Sequence, residues 1–276
     1  MKPVLIIGGN RFVGKALSKV LLEKNYSVDV FNRSGTSADS NINIIKGNRN
    51  NEKDVDKIDF TKYECIVDMC LFSPSQFQLI KNKISKDTNY IFVSSGAADK
   101  RYVELFGGYG RDKLEIEEMI KLSDINFDII RPSYIVGINN HRPRLGYFID
   151  RLANNKTIEV AGNGKNLINI VFVEDVVKVL KKLVLRHTPK MKTYNVSSDK
   201  SWSVMELIFI IKEKFFQDID EIKVSHDRLE SLFCGFDFEL NNTDIRNDLN
   251  IDFIDIDDGL EKYMEWYEVS KSQTFF

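Results

Sequence analysis

The sequence predicts a doubly wound α/β fold, a parallel sheet covered on both faces by helices, with a smaller C-terminal substrate lobe. Three observations predict it. Short apolar runs alternate with helix-patterned stretches as far as residue 135. Those runs are apolar on both faces, as strands buried between two helical layers must be. The first of them, VLIIG, ends in the pair Gly8-Gly9 directly before an amphipathic stretch, giving the order strand, tight turn, helix.

Taken in order, strands are expected at 4–8 (VLIIG), 27–32 (SVDVFN), 42–46 (INIIK), 65–69 (CIVDM), 90–95 (YIFVSS) and 127–132 (FDIIRP). Phe12, Val13, Ala16, Leu17, Val20 and Leu21 recur at helical spacing, so helices are expected near 12–24, 51–57, 75–85 and 109–121. After Pro132 the rhythm changes. INNHRPR (138–144) reads as a polar, basic loop, followed by an amphipathic helix over about 145–155. A hairpin-like piece surrounds GNGKN (162–166), and a long helix follows over about 173–186. TYNVSS (193–198), a helix from Ser203 to about Phe216 and a closing helix near 257–269 complete the lobe.

Composition narrows the function classes. The 276 residues carry 39 basic and 41 acidic side chains, a net charge of −2, so no global field favours nucleic acid or an anionic membrane. Hydrophobic residues at 43% and aromatics at 11% supply a packed core and argue against disorder. Cys65, Cys70 and Cys234 are odd in number and lack CxxC spacing, which fits a reducing cytosol rather than a disulfide framework. His141, His187 and His226 lie far apart, so no metal site is expected. The N-terminal apolar run is too short to span a membrane, and a cytoplasmic protein is expected. Trp202 and Trp266 read as lobe packing.

The glycine turn points to a dinucleotide. Gly8 and Gly14 bracket it, Gly9 adds slack, and the helix that follows directs free amides and a positive dipole end at phosphate. The middle glycine of the usual fingerprint is Arg11. At the end of the second strand, where an acidic residue normally grips a ribose 2′-hydroxyl, stand Asn32, Arg33 and Ser34. Asp29 lies mid-strand, three residues too early to reach the ribose. Arg11 and Arg33 are therefore expected to neutralise a 2′-phosphate, which favours NADP(H), with NAD(H) as the alternative. The expected cofactor-binding residues are Gly8, Gly9, Asn10, Arg11, Phe12, Val13, Gly14, Asn32, Arg33, Ser34, Asn48 and Cys70. Cys65 and Cys70 flank the fourth strand and are expected to pack as small hydrophobes. The expected division is a dinucleotide-binding Rossmann part over 1–135, joined by 165–190, and a substrate lobe from 136–164 and 190–276.

A catalytic trio is expected further on. The fifth strand ends in FVSSG (92–96), and GGYGRDKLEIEEM (107–119) carries Tyr109 and Lys113 one helical turn apart. A phenol with a reference pKa of about 10 is a poor base at neutral pH, and a neighbouring ammonium moves it toward the working range. Ser95 at the strand end can hold the substrate oxygen. Tyr267 and Lys271 share the same spacing, but no serine strand or nucleotide loop precedes them, so Tyr267 is expected at the surface.

Taken together, IIGGNRFVG (6–14), VFNRS (30–34), FVSSG (92–96), YGRDK (109–113), IIRPSYIVG (129–137), VFVEDVVKVL (171–180) and YNVSS (194–198) resemble the extended short-chain dehydrogenases/reductases. These are the nucleotide-sugar epimerases, dehydratases and reductases. The GGxRF turn and the NR strand end resemble that family's atypical branch. The resemblance implies that Ser95 is the catalytic Ser/Thr, Tyr109 the general acid/base and Lys113 its partner. Four departures stand out. Gly96 and Ala97 follow Ser95 where dehydratases carry Asp-Glu. Asn48 replaces the adenine-contacting Asp. Ile168 and Asn169 replace the Arg-Asp whose Arg grips a substrate diphosphate, and Tyr134 replaces an Asn near the substrate phosphates. His141, Arg142, Arg144 and Lys165 are basic substitutes in that region.

The expectation is an NADP-preferring oxidoreductase or epimerase acting on a secondary alcohol or ketone of a nucleotide sugar, with keto-reduction favoured. A small-molecule partner is expected, without nucleic acid or membrane, and a homodimer is allowed. The alternative is a non-catalytic dinucleotide-binding protein, regulatory or RNA-associated, on the same fold.

Overall fold

The computed structural model describes residues 3–37, 39–140, 142, 144–226 and 232–272. Valine and isoleucine dominate the runs that become strands, because β-branched side chains fill a pleated surface buried on both sides. In β1 (Val4–Ile7) all four residues are buried. Then come α1 (Phe12–Glu23), β2 (Val28–Asn32), β3 (Asn43–Lys46), α2 (Glu52–Val55), β4 (Cys65–Asp68), α3 (Pro74–Gln78), β5 (Asn89–Val93), α4 (Gly107–Lys121) and β6 (Asn126–Pro132). The chain continues through β7 (Tyr134–Val136), α5 (Arg144–Ala153), β8 (Ile158–Glu159), β9 (Leu167–Ile168), β10 (Ile170–Phe172) and α6 (Val173–Leu185). It closes with β11 (Thr193–Val196), β12 (Trp202–Ser203), α7 (Val204–Phe215), β13 (Val224–Ser225), α8 (Thr243–Leu249) and α9 (Ile256–Ser272).

The contacts divide the chain into two units. The first comprises the chain up to Pro132, Glu174–Val196 and Thr243–Ile251. Its seven strands lie in the order β11-β6-β5-β4-β1-β2-β3, every pair parallel. Ile6 sits between Val30 and Val67, and the same row continues through Ile44 on one side and Ile91 on the other, so the sheet is apolar from β3 to β5 at this level. Strand order reverses between β1 and β4, and a crevice opens outside the carboxyl ends of strands at such a point. Gly8 follows β1 there, and Cys70 follows β4.

Three details differ from the sequence reading. Thr193–Val196, given to the smaller lobe, pairs in parallel with β6, which supplies the sheet contact that its fully buried Tyr194 and Val196 need. Residues 243–251 also belong to this unit, where Tyr194 and Arg186 both donate to Asp248. The single helix expected over 75–85 is shortened to α3. Beyond it Ile80 and Lys83 donate to carbonyls three residues back, a tighter winding that buries Phe77, Ile80 and Ile84 together.

The second unit comprises Ser133–Val173, Ser197–Asn242 and the chain from Asp252. Its strands pair as β7 with β10, β9 with β12 and β8 with β13. No hairpin forms around GNGKN. Gly162 and Gly164 turn the chain at positive φ, but the flanking strands take other partners. Its core gathers Phe148, Leu152, Leu207, Ile211, Phe233 and Leu260. Among the described residues no helix is long and apolar enough to cross a membrane, and no group of three His, Cys, Asp or Glu side chains is placed to hold a metal.

Candidate functional site

The glycine turn is built by close approach. Gly8 has φ +92°, and a Cβ there would lie 3.1 Å from Cys70 Sγ. A Cβ on Gly14 would lie 2.6 Å from Gly9 Cα and 2.7 Å from the Gly8 carbonyl oxygen, so α1 begins in direct contact with the turn. Phe12 opens the helix at φ +44°, while Val13 is buried beneath it. Arg11 is the N-cap in extended conformation, its side chain making no capping bond, and the first turn of α1 holds no acidic residue. The positive end of this helix is thus uncompensated by the chain, the arrangement that receives a phosphate. A cradle that an added methyl group would fill fits the pyrophosphate of a dinucleotide.

A cleft of about 480 Å³ opens beside the turn, lined by Gly8, Asn10, Arg11, Asn32, Arg33, Ser34, Asn48, Arg49, Cys70 and five neighbours. Asn10 donates to Ser34 Oγ at 3.0 Å, and Ser34 donates to Asn32 Oδ1 at 3.0 Å. Asn32 also accepts from the Gly35 amide at 2.8 Å, which curls the chain after β2 into the cleft wall. Arg11 and Arg33 are exposed, line the cleft and form no ion pair among the described residues. No carboxylate lines the cleft among those residues. Asp29 is buried and accepts from Tyr63 Oη and Lys62 Nζ, which leaves it directed away from any ribose. Asn48 accepts from the Asn50 amide at 3.1 Å.

Beneath the cleft lies a buried ion pair that the sequence reading missed. Arg49 donates to both carboxylate oxygens of Asp68, at 2.6 and 3.0 Å, and Asp68 is fully buried. Tyr90 Oη and the Cys70 amide donate to the same carboxylate. Burial works against the Arg49 charge, but Asp68 holds its pKa above the ordinary value. Burial also raises the Cys70 thiol. The available signal was one acid inside the apolar run CIVDM.

The three residues expected to be catalytic divide between the segment after β5 and α4. Ser95 is half-buried after β5, where its Oγ accepts from the Ala97 amide at 3.2 Å. Its neighbour Ser94 is buried and donates to Glu117 Oε1 at 2.6 Å, and Arg131 pairs with the same carboxylate. Tyr109 stands in the first turn of α4, 45% exposed. Gly110 brings that turn against the segment after Ser95, since a Cβ on it would lie 2.8 Å from the Ala97 carbonyl oxygen. Lys113, one turn on, is 1% exposed. Its ammonium donates to Leu71 O at 2.8 Å and Val93 O at 3.2 Å, between the rings of Phe72 and Phe92. Burial pushes its pKa down to about 8, with Asp68 opposing the shift.

In the second unit, Ile168 is fully buried and bridges to Phe238, so the position of the family's diphosphate-gripping Arg faces the interior. Asn169 is buried too, donating to Lys200 O and Ser201 Oγ and accepting from the Leu240 amide. Tyr134 Oη accepts from the Cys234 amide, and the Arg144 guanidinium stacks 4.4 Å from the Tyr134 ring. Arg142 and Lys165 are exposed, while His141 lies outside the described residues. Tyr267, expected at the surface, donates to Asp150 at 3.1 Å from a half-buried position, tying α9 to α5.

The model of the NAD dependent epimerase/dehydratase family matches residues 4–73 and 89–197. Among curated proteins the chain is 25% identical over 228 residues to the chloroplast stem-loop binding protein of 41 kDa b from Arabidopsis thaliana. That alignment spans 72% of this chain and 59% of the plant protein. Among solved structures, UDP-glucose 4-epimerase with UDP-glucose from Thermotoga maritima superposes with TM-score 0.79 at 15% identity, covering 97% of this chain and 99% of that one. A dTDP-glucose 4,6-dehydratase with NAD from Bacillus anthracis gives TM-score 0.77 at 14% identity, covering 99% and 98%. At such identities the likeness is one of fold.

Proposed function

The chain belongs to the NAD-dependent epimerase/dehydratase family, and on that premise we propose that it oxidises a secondary alcohol, or reduces the corresponding ketone, of a nucleotide sugar. The observation that carries this reading is the burial of Lys113 one helical turn from Tyr109, two carbonyls accepting from its ammonium. A charge kept in so dry a place is costly, and groups perturbed in this way cluster at functional sites.

A nicotinamide dinucleotide would be held by Gly8, Gly9, Asn10, Arg11, Phe12, Val13 and Gly14 at its pyrophosphate. Asn32, Arg33, Ser34 and Asn48 would hold the adenosine, and Cys70 would pack against the turn. When bound it supplies the hydride acceptor or donor. Tyr109 Oη takes the carbinol proton in oxidation and returns it in reduction. The Lys113 charge and the amino end of α4 both favour the tyrosinate. Ser95 Oγ accepts from the Ala97 amide, which leaves its own proton to hold the substrate oxygen.

Arg11 and Arg33, without an ion pair among the described residues and on a cleft that no carboxylate lines, favour NADP(H) over NAD(H). Net reduction of a ketone is the narrower form of this reading, because Ile168 offers a substrate diphosphate no grip and the cofactor then exchanges each turnover. Dehydration is not expected. Gly96 and Ala97 are buried and carry neither acid nor base.

The test supplies NADPH or NADH with UDP- and dTDP-linked 4-keto sugars and their alcohols. Stoichiometric nicotinamide oxidation supports the reductase, and isomer interconversion without net consumption makes the protein an epimerase. Tyr109→Phe should lower either activity about a hundredfold or more. Full activity in that variant would overturn the proton-transfer role. The alignment with a stem-loop binding protein favours a second reading, RNA binding on the same fold. Submicromolar binding of a stem-loop RNA, with no turnover on the panel, would favour it.

A further inference from the structure

We propose that Arg49 and Asp68 are positioning residues for Lys113, joining the floor of the nucleotide cleft to that lysine through the backbone of residues 70 and 71. The proposal rests on the reading of Lys113 as the partner of Tyr109. Asp68 closes β4 and collects four donors: both Nη atoms of Arg49, Tyr90 Oη and the Cys70 amide. The Cys70 bond, at 3.2 Å, bends the chain immediately after the strand. That bend presents the next carbonyl, of Leu71, to Lys113 Nζ at 2.8 Å. Val93 on β5 supplies the second carbonyl from the other side.

The pair is poorly explained as ballast. A buried ion pair is often no more stabilising than apolar residues of the same volume. Here it stands where a carboxylate also acts on a buried ammonium. The groups facing Lys113 come from each element around it. They are Asp68 and Cys70 at the end of β4, Arg49 from the loop after β3, and Glu117 on its own helix. Glu117 is bound to Arg131 and Ser94, and Phe72 and Phe92 are apolar. Asp68 is the carboxylate acting most strongly on Lys113, and the adjacent guanidinium opposes it. Arg49 also lines the cleft, so the link runs from the nucleotide side to the proton-transfer side.

The test reads Lys113 directly, without substrate. Protein labelled with 13C-lysine is titrated by NMR at Cε, the Lys113 signal being the one missing from Lys113→Met. Asp68→Asn should move its midpoint down by about one pH unit, the scale of one nearby opposite charge. Arg49→Met should move it up, and Arg49→Lys, which keeps the charge, should leave it in place. Circular dichroism and dinucleotide binding establish which variants fold, and the direction in any one folded variant decides. An unmoved midpoint in folded Asp68→Asn or Arg49→Met overturns the proposal. In turnover assays, the alkaline limb of kcat should follow the NMR midpoint. If Lys113→Met and Tyr109→Phe keep full turnover, the catalytic reading fails, while the NMR midpoints still decide whether Arg49 and Asp68 act on Lys113.

Discussion

Ser94 donates its hydroxyl proton to Glu117 across 2.6 Å, within a buried cluster completed by Arg131. Its sequence neighbour Ser95 lies outside that cluster, its Oγ accepting from the Ala97 amide. Ser94→Ala should therefore cost stability, about 1.5–3 kcal/mol for a hydrogen bond to a buried carboxylate, and leave turnover nearly unchanged. Ser95→Ala should do the reverse, lowering turnover by about a hundredfold with a small change in melting temperature. Urea denaturation and turnover of both variants check this. Exchanged phenotypes would move the catalytic assignment to Ser94.

Gly14→Ala drives a methyl group into Gly9 and the Gly8 carbonyl, backbone atoms that cannot swing aside. Dinucleotide affinity should fall at least about tenfold and stability by roughly 1–3 kcal/mol. Gly108→Ala is the contrast, because nothing beyond its own helix backbone and chain neighbours lies within 4 Å of an added Cβ and the residue is helical. It should stabilise the protein by about 0.5–1 kcal/mol. Calorimetric titration and thermal melts measure both.

Lys113 has a pKa of about 8 in the folded protein against 10.5 ordinarily. Below pH 8 it is charged in both folded and unfolded states, and folding bears the full desolvation cost. Between the two values the unfolded chain binds the proton and the folded one does not, so wild-type stability rises with pH. Lys113→Met lacks that rise. Relative to wild type, it should lose about 3 kcal/mol of stability between pH 7.5 and 10.5. A pH-independent difference would show that the lysine is not strained by burial.

NADPH should bind more tightly than NADH by about 1.5–3 kcal/mol, the worth of hydrogen bonds to a charged group. Arg33→Ala should remove most of that margin, and Arg11→Ala part of it. Because both side chains are exposed, the preference should also shrink at high salt. Equal affinities in wild type would leave an NAD(H) site with two solvated arginines.

Five of the six apolar runs were legible because they are largely buried on both faces, and the edge strand β3, with Asn43 and Lys46 exposed, was legible from its Ile44-Ile45 pair. Gly8, Gly14, Tyr109 and Lys113 were legible because local spacing carries their geometry. Arg49 and Asp68 were not, since 19 residues separate them and their meeting depends on how β3 and β4 flank β1 and β2. The bond from Tyr267 to Asp150 spans 117 positions and leaves no local trace. Thr193–Val196 was placed in the wrong unit because four residues alone do not reveal which sheet will accept them.

The return of Thr243–Ile251 to the first unit bears on how the chain is made. Asp128 and Arg186 meet in a buried pair, yet Arg186 and Tyr194 also await Asp248, and Lys182 awaits the Leu249 carbonyl. On the ribosome the N-terminal strands emerge long before these partners. The nucleotide-binding unit can assemble its sheet early, but its last dock forms only once the ribosome has released residue 251. Up to that moment Arg186, Tyr194 and Lys182 lack the Asp248 and Leu249 partners that they have in the folded unit.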